Sequence, residues 1–427
     1  MVTAITGGGF GDEGKGKITD LLAAQADIVV RYQGGANAGH TIINDCGRFV
    51  LHLLPSGVFY PHTVNLIASG VAFDADVFFS ELDMLRSRGV PAPKLLVSSR
   101  AQLLLPIHKL QDRLEEQRLG ACRFGSTQAG IAPFYADKYA KKNIQISELF
   151  SGNLEEKVRR ICEDKNTYFR AYYGVEQALT AETLTAYLQD MKTRLMPYLC
   201  DGPHFLHDAL CSGRRILLEG QLGALRDVDN GIYPYVTSSS PLAGFGSVGA
   251  GIPPYAIHRV IAVLKAYSTC VGEGPFVGEL SGVEADDLRR RGGDRGEYGA
   301  TTGRPRRMAW FDCVAARYGC MLQGATEVAL TVLDALGHLE RIPVCVGYEI
   351  DGKVTDDFPL SHLLDQAKPV YQYLDGWKCD ISHVTEYSDL PAAAKAYVSY
   401  IERRIGVPVT MVSNGAKREQ ILYRADN

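Results

Sequence analysis

Short runs of aliphatic and β-branched residues recur along the chain, at 2–5, 27–32, 64–67, 94–97, 215–218, 260–264, 327–333, 343–348 and 408–412. Runs of this length, bounded by glycine and polar residues, predict buried strands, and the stretches between them space their apolar residues at helical intervals. Strands alternating with helices predict an α/β fold class with one large, mainly parallel central sheet. From 148 to 207 the chain turns charged and helix-periodic, which predicts a helical subdomain at about 148–207 packed on that sheet. The length of 427 residues leaves room for about two or three domains. No repeat period and no low-complexity linker divides it, so one domain over 1–427 with subdomains is expected.

Six glycine-rich polar segments interrupt the pattern, at 33–41, 125–133, 219–253, 272–280, 297–307 and 413–418. Loops beyond the carboxyl ends of parallel strands carry ligand-binding groups, so six of them predict a site that wraps several ligands. The most specific segment is GFGDEGKGK at 9–17, directly after the apolar run 2–5. It has the spacing of a phosphate-binding loop, in which backbone N–H groups and a lysine hold phosphate oxygens while a following Ser or Thr holds Mg²⁺. Here Gly16 stands at the hydroxyl position. Asp12, inside the loop, would hold the metal instead, because Mg²⁺ takes one or two carboxylates together with phosphate oxygens. Four glycines, two lysines and two acids in nine residues weigh against a plain strand-to-helix turn.

His40 follows a predicted strand on the glycine-rich segment QGGANAGHT, with Asn37 and Thr41 beside it. A lone histidine is most often structural; this setting favours a ligand-facing proton donor. The segment 297–307 concentrates Arg304, Arg306 and Arg307 with Thr301 and Thr302. A solvated basic run is the plain alternative, but guanidinium forks with adjacent hydroxyls suit a small anion, above all a dicarboxylate. YPYVTSSS at 233–240 reads, taken alone, as a strand and a turn. Asp334 closes a buried run, either as a helix cap or as an acceptor for the two N–H groups of a guanine edge, and the pattern leaves both open.

A net charge of −4 with 22% charged and 46% hydrophobic residues gives no general attraction to nucleic acid or membrane, so basic residues act locally. No apolar stretch approaches the roughly 18 residues of a membrane span, and Met1 leads straight into strand and loop. A cytoplasmic protein is the expectation. The ten cysteines are scattered, with no Cys-x-x-Cys pair, and are expected to be reduced thiols.

In order and spacing, GDEGKGK at 11–17, GGANAGHT at 34–41, YPYVTSS at 233–239, VGEGPF at 271–276 and GATTGR at 299–304 resemble the adenylosuccinate synthetase family, and the likeness runs on to Arg418. The resemblance implies a ligase that couples IMP and L-aspartate, using GTP, through a 6-phosphoryl-IMP intermediate to give adenylosuccinate, GDP and phosphate. Asp12 would take the N1 proton of IMP and lie on Mg²⁺, with the carbonyl of Gly39 as a second metal ligand. His40 would assist phosphoryl transfer to O6, and Lys15 with Gly11, Glu13, Gly14, Gly16 and Lys17 would hold the nucleotide phosphates. Thr41 and Arg306 would also serve GTP, Asp334 would read guanine, and Ser413 and Gly415 would flank the base. Asn37, Ala38, Thr127, Leu222, Thr237 and Arg304 would face IMP, while Ala300, Thr301, Thr302 and Gly303 with the neighbouring arginines would clamp aspartate. The family's IMP-phosphate contact from the partner subunit would fall on Lys141, which implies a homodimer.

Departures from the family pattern gather in the recognition residues. Gln128 and Ala129 replace Gly-Arg, Lys141 replaces arginine, Leu222 replaces glutamine with Gln221 one place earlier, and Val332 replaces lysine. Gly-Pro-Asp-Arg becomes Gly415, Ala416, Lys417 and Arg418, and Phe10 stands for tryptophan. Asp12, Lys15, His40 and Arg304 remain. The alternatives are therefore the same chemistry on another 6-oxopurine nucleotide or with ATP, and a nucleotide-binding paralogue without turnover.

Overall fold

All six residues of β1 (Val2–Gly7) are buried, because this first strand lies inside a sheet covered on both faces. In the computed structural model, which describes residues 1–299 and 303–424, β1 pairs in parallel with Ile216–Glu219 on one side and Ile257–Lys265 on the other. Ten strands follow the order Ile421–Tyr423, Val409–Ser413, Glu327–Thr331, Ile257–Lys265, β1, Ile216–Glu219, β2 (Ile28–Arg31), Val64–Ile67, Lys94–Ser98, Leu199–Cys200. Only the edge pair of Val409–Ser413 with Ile421–Tyr423 is antiparallel. The expected large, mainly parallel α/β sheet is thus present. Its shared strand direction delivers Gly7, Arg31, Glu219, Lys265, Thr331 and Ser413 to one edge, where the glycine-rich loops begin.

The charged stretch near 148–207 forms helices Leu154–Tyr173 and Ala181–Leu195 and the start of Gly202–Cys211. The first buries Leu154, Val158, Ile161, Cys162, Lys165 and Phe169, a stripe at helical spacing, and ends at Gly174 with φ 69°, the left-handed cap that glycine adopts without strain. Its apolar stripe joins Leu184, Leu188 and Met191 of the second helix in one cluster with Phe73, Phe78 and Val97 from the sheet side.

Three expectations change. The run 327–333 ends as a strand at Thr331, because Val332 takes φ 58° and a short 3₁₀ turn, Leu333–Leu336, follows. Asp334 sits inside that turn and is not its cap. The run 343–348 is a strand, Arg341–Ile350, but it lies in a second sheet, parallel to Phe311–Asp312 and antiparallel to Lys353–Thr355 and Lys368–Asp375. Asp351 and Gly352, at φ 50° and 75°, make its reversal, the positive-φ pair that two-residue hairpins require. Residues 233–240 form turns with no strand. Among the described residues no helix is long and apolar enough to cross a membrane.

Close backbone approach fixes the phosphate loop against the body of the protein. A Cβ at Gly319, on helix Cys313–Gln323, would lie 1.8 Å from the Gly8 carbonyl oxygen. Gly319→Ala is expected to lower stability by about 1–3 kcal/mol, as overpacking does. Gly152→Ala, at a site with nothing within 4 Å, should stay within about 0.5 kcal/mol. Urea unfolding of the two variants checks both.

Candidate active site

The phosphate loop leaves β1 and turns through Gly11 (φ 109°), Asp12 (φ 62°) and Gly14 (φ 90°) into helix α1 (Lys15–Ala23). Gly16 has a steric reason to lack the usual hydroxyl: a Cβ there would come 2.8 Å from the Cβ of His40. Glu13 braces the loop from within. Its Oε1 accepts the amides of Gly9 at 3.2 Å and Gly11 at 2.7 Å, and its Oε2 holds Lys15 Nζ at 2.6 Å. Those two amides are thus engaged by Glu13, and Gly11 and Glu13 line a second, small cavity and not the main one.

His40 opens strand β3 (His40–Asn44), which forms a hairpin with β4 (Gly47–Leu51). Its Nδ1 lies 2.6 Å from Oε1 of Glu219, a fully buried residue at the end of the strand beside β1. Ser56 donates its amide to Glu219 at 2.8 Å and its hydroxyl at 2.5 Å. Burial pushes His40 below the usual histidine range despite the carboxylate. Burial would raise Glu219, but His40, Arg31 and Ser56 together hold it low. The other ring nitrogen of His40, Nε2, is buried without a partner. Nearby, Gln221 donates to Asn37 Oδ1 at 2.9 Å and accepts from buried Arg31 at 2.6 Å, fixing the loop that precedes His40.

A second network begins at Asp12, whose Oδ2 lies 2.9 Å from Arg306 Nε. Through Nη1, Arg306 donates to Glu297, a carboxylate 1% exposed that accepts from Lys265 at 2.8 Å and from Tyr267. Burial alone would raise Glu297, but Lys265 and Arg306 outweigh it and hold it at about 2. Lys265 is lowered, chiefly by burial, with Arg306 adding to the effect.

At the far end Lys17 Nζ is ringed by Ser413 Oγ at 2.8 Å, Gly415 O at 2.8 Å and Gln420 O at 2.9 Å. It staples the first helix to the last glycine loop. Burial lowers Lys17 to about 7, against the pull of Asp334 and Glu419. Burial likewise raises Asp334 to about 6, and its Oδ1 has no hydrogen-bond partner.

One cavity of about 320 Å³ joins these parts, with Asp12, Gly14, Lys15, Gly16, Lys17, Ala38, Gly39, His40, Thr41, Leu222, Arg306, Asp334, Ser413 and Gly415 on its wall. Glu297, Lys265 and Val332 also line it. Asn37, Thr127, Lys141, Thr237, Gly303 and Arg304 lie outside this wall; Thr127, Lys141, Gly303 and Arg304 are exposed. Ala300, Thr301 and Thr302 fall outside the described residues. Sequence reasoning met Gln221 only as the neighbour of Leu222 and did not single out Glu219, Lys265 or Glu297. Glu219 and Lys265 end strands beside β1, and an ionisable residue at the carboxyl end of a parallel strand is itself a signal.

A phosphate-binding loop at the end of a central parallel strand, with an acid, a histidine and an arginine facing one cavity, defines a nucleotide-using α/β enzyme. The family model described as Adenylosuccinate synthetase matches residues 4–422. Adenylosuccinate synthetase of Thermomicrobium roseum is 46% identical over 427 residues, covering 99% of this chain and 98% of that protein. The protein of the same name from Carboxydothermus hydrogenoformans is 46% identical over 415 residues, covering 97% of this chain and 96% of that one. The solved structure of fully ligated adenylosuccinate synthetase from Plasmodium falciparum superposes with a TM-score of 0.91 at 32% identity, covering 99% of this chain and 100% of that one. A cyanophage S-2L succinoaminodeoxyadenylate synthetase shares the fold alone, with a TM-score of 0.60 at 20% identity. This chain belongs to the adenylosuccinate synthetase family, ligases that join L-aspartate to IMP at the expense of GTP.

Proposed function

We propose that the cavity carries out this ligation in two steps, with Asp12 and His40 at its chemical centre. Hydroxide is a poor leaving group from a purine, so the 6-oxygen must first become a phosphate ester. Asp12 accepts the N1 proton of IMP, which places negative charge on O6. His40, held from behind by Glu219, presents Nε2 to the transferring phosphoryl group. Lys15 turns from Glu13 to the phosphate oxygens, since phosphoryl transfer depends chiefly on positioning and charge stabilisation. The aspartate amine then attacks C6 and phosphate leaves. The observation that carries this reading is the single cavity shared by Asp12, Lys15, His40, Arg306 and Asp334.

The residues fit Mg²⁺. Asp12 has a carboxylate about a quarter exposed, Gly39 lines the same cavity, and among the described residues no cluster of three or more His, Cys, Asp or Glu side chains could hold a metal unaided. One carboxylate and one carbonyl, completed by phosphate oxygens and water, suit this ion. When bound, it would neutralise charge on the phosphate oxygens.

Asp334 serves guanine, because it lines the cavity together with Ser413 and Gly415 and one of its carboxylate oxygens has no partner. The remaining substrate contacts fall to Asn37, Ala38, Thr127, Thr237, the 300–304 loop and, from a partner subunit, the exposed Lys141. A cytoplasmic homodimer completes the reading. Leu222 supports a second reading, altered purine preference: it brings an aliphatic side chain to the cavity wall at φ 64°, strain that persists only where the surroundings impose it.

Phosphate release is expected to require IMP, L-aspartate, Mg²⁺ and GTP together, with adenylosuccinate absorbance rising in parallel. Asp12→Asn should cut turnover by about 10²–10⁴-fold, the usual worth of a general base. Turnover unaffected by that change would sink the mechanism, and activity only with another 6-oxopurine nucleotide or with ATP would establish the second reading. A pH profile tests Asp334. With a pKa raised to about 6, it is ionised above that pH and neutral below, where one of its oxygens carries a proton and cannot accept a guanine N–H. The KM for GTP should climb by up to about tenfold per pH unit below 6, and Asp334→Asn should flatten that rise.

A further inference from the structure

The loop that carries the threonine-arginine cluster is closed at its neck by Glu297 and Arg306. Arg306 N donates to the Glu297 carbonyl at 2.9 Å, Gly299 N to the Arg304 carbonyl at 2.8 Å, and Tyr298 bridges Pro305. The same two residues meet through their side chains, Arg306 Nη1 donating to Glu297 Oε2. The other carboxylate oxygen, Oε1, accepts Lys265 Nζ at 2.8 Å and the Tyr267 hydroxyl. Lys265 ends the strand paired with β1, so one buried carboxylate ties the loop's neck to the centre of the sheet. Arg306 extends the tie to Asp12, 2.9 Å away.

We propose that Glu297 is a positioning residue for the dicarboxylate substrate: it sets Arg306 relative to Asp12, so that the aspartate amine is held where the activated purine carbon lies. This rests on the function proposed above. Every group around the Glu297 carboxylate is a donor: an ammonium, a guanidinium and a hydroxyl. A glutamine of the same shape turns an NH₂ group toward one of them and removes the charge that orders all three. Charge-assisted contacts of this kind are the stronger hydrogen bonds, and their loss is read as roughly a tenfold change or more.

The test uses the full chain in the four-component assay. Wild-type turnover is established first, so that an inactive parent counts against the functional reading and leaves this proposal aside from the result. In Glu297→Gln the KM for L-aspartate is expected to rise at least about tenfold, with the KM for IMP within about twofold of the parent and the KM for GTP, which Arg306 also serves, rising by less than that for aspartate. Glu297→Asp, which keeps the charge, should recover part of the loss. An unchanged aspartate KM, an equal rise for all three substrates, or no recovery with Glu297→Asp would overturn the proposal. Should circular dichroism show Glu297→Gln unfolded, Lys265→Met gives the same readout. It cuts the tie to the sheet and leaves the Glu297–Arg306 pair, so a rise selective for aspartate supports the positioning role and unchanged kinetics contradict it.

Discussion

The site depends on a contact that only glycine permits. With no side chain at Gly16, the start of α1 closes on His40, where any Cβ would come within 2.8 Å of the histidine's own. Phosphate-binding loops ordinarily use this position for a hydroxyl on the metal. Here the space is given to His40, and the carboxylate proposed above for the metal lies inside the loop at Asp12, whose φ of 62° is of the strained kind that functional sites retain. The unusual loop sequence and the placement of His40 are two sides of one steric exchange.

Around that contact the protein buries charge in matched sets. Glu219 holds His40 from behind, Glu13 holds Lys15, and Glu297 gathers Lys265 and Arg306. Unpaired, each buried ion would cost several kcal/mol, and removing one partner of such a pair typically costs about 3–5 kcal/mol. These sets orient their members more than they stabilise the fold. Catalysis by positioning and electrostatics needs groups held in place before the substrate arrives. The first set leaves Nε2 of His40 without a partner, and Asp334, outside these sets, leaves Oδ1.

Much of this was legible in the sequence. Asp12 and Lys15 sit where strand, glycine loop and helix follow one another, His40 where a glycine loop meets the next strand, and Asp334 in the turn just after a strand. The acids behind them were not legible, because Glu219 lies 179 residues from His40 and Glu297 lies 32 from Lys265; such partners are chosen by strand order, which local periodicity does not encode. Lys17 shows the converse limit. The motif groups it with phosphate ligands, whereas its ammonium is surrounded by the 413–420 segment almost four hundred residues away. The hairpin at Asp351 and Gly352 did carry a local signal, and it turns Arg341–Ile350 back onto Lys353–Thr355. Val332 ended its strand early through a left-handed conformation that a β-branched residue rarely adopts, so no propensity argument would place the break there.

In the proposed mechanism the cavity phosphorylates the purine 6-oxygen before aspartate reacts. Positional isotope exchange tests it directly: GTP carrying ¹⁸O in the β,γ-bridge is incubated with the enzyme, Mg²⁺ and IMP, without aspartate, and recovered. Reversible transfer frees the β-phosphate to rotate, so the label should move into non-bridging positions only when IMP is present. Label that stays in the bridge, in an enzyme that turns over once aspartate is added, would contradict a separate phosphorylation step.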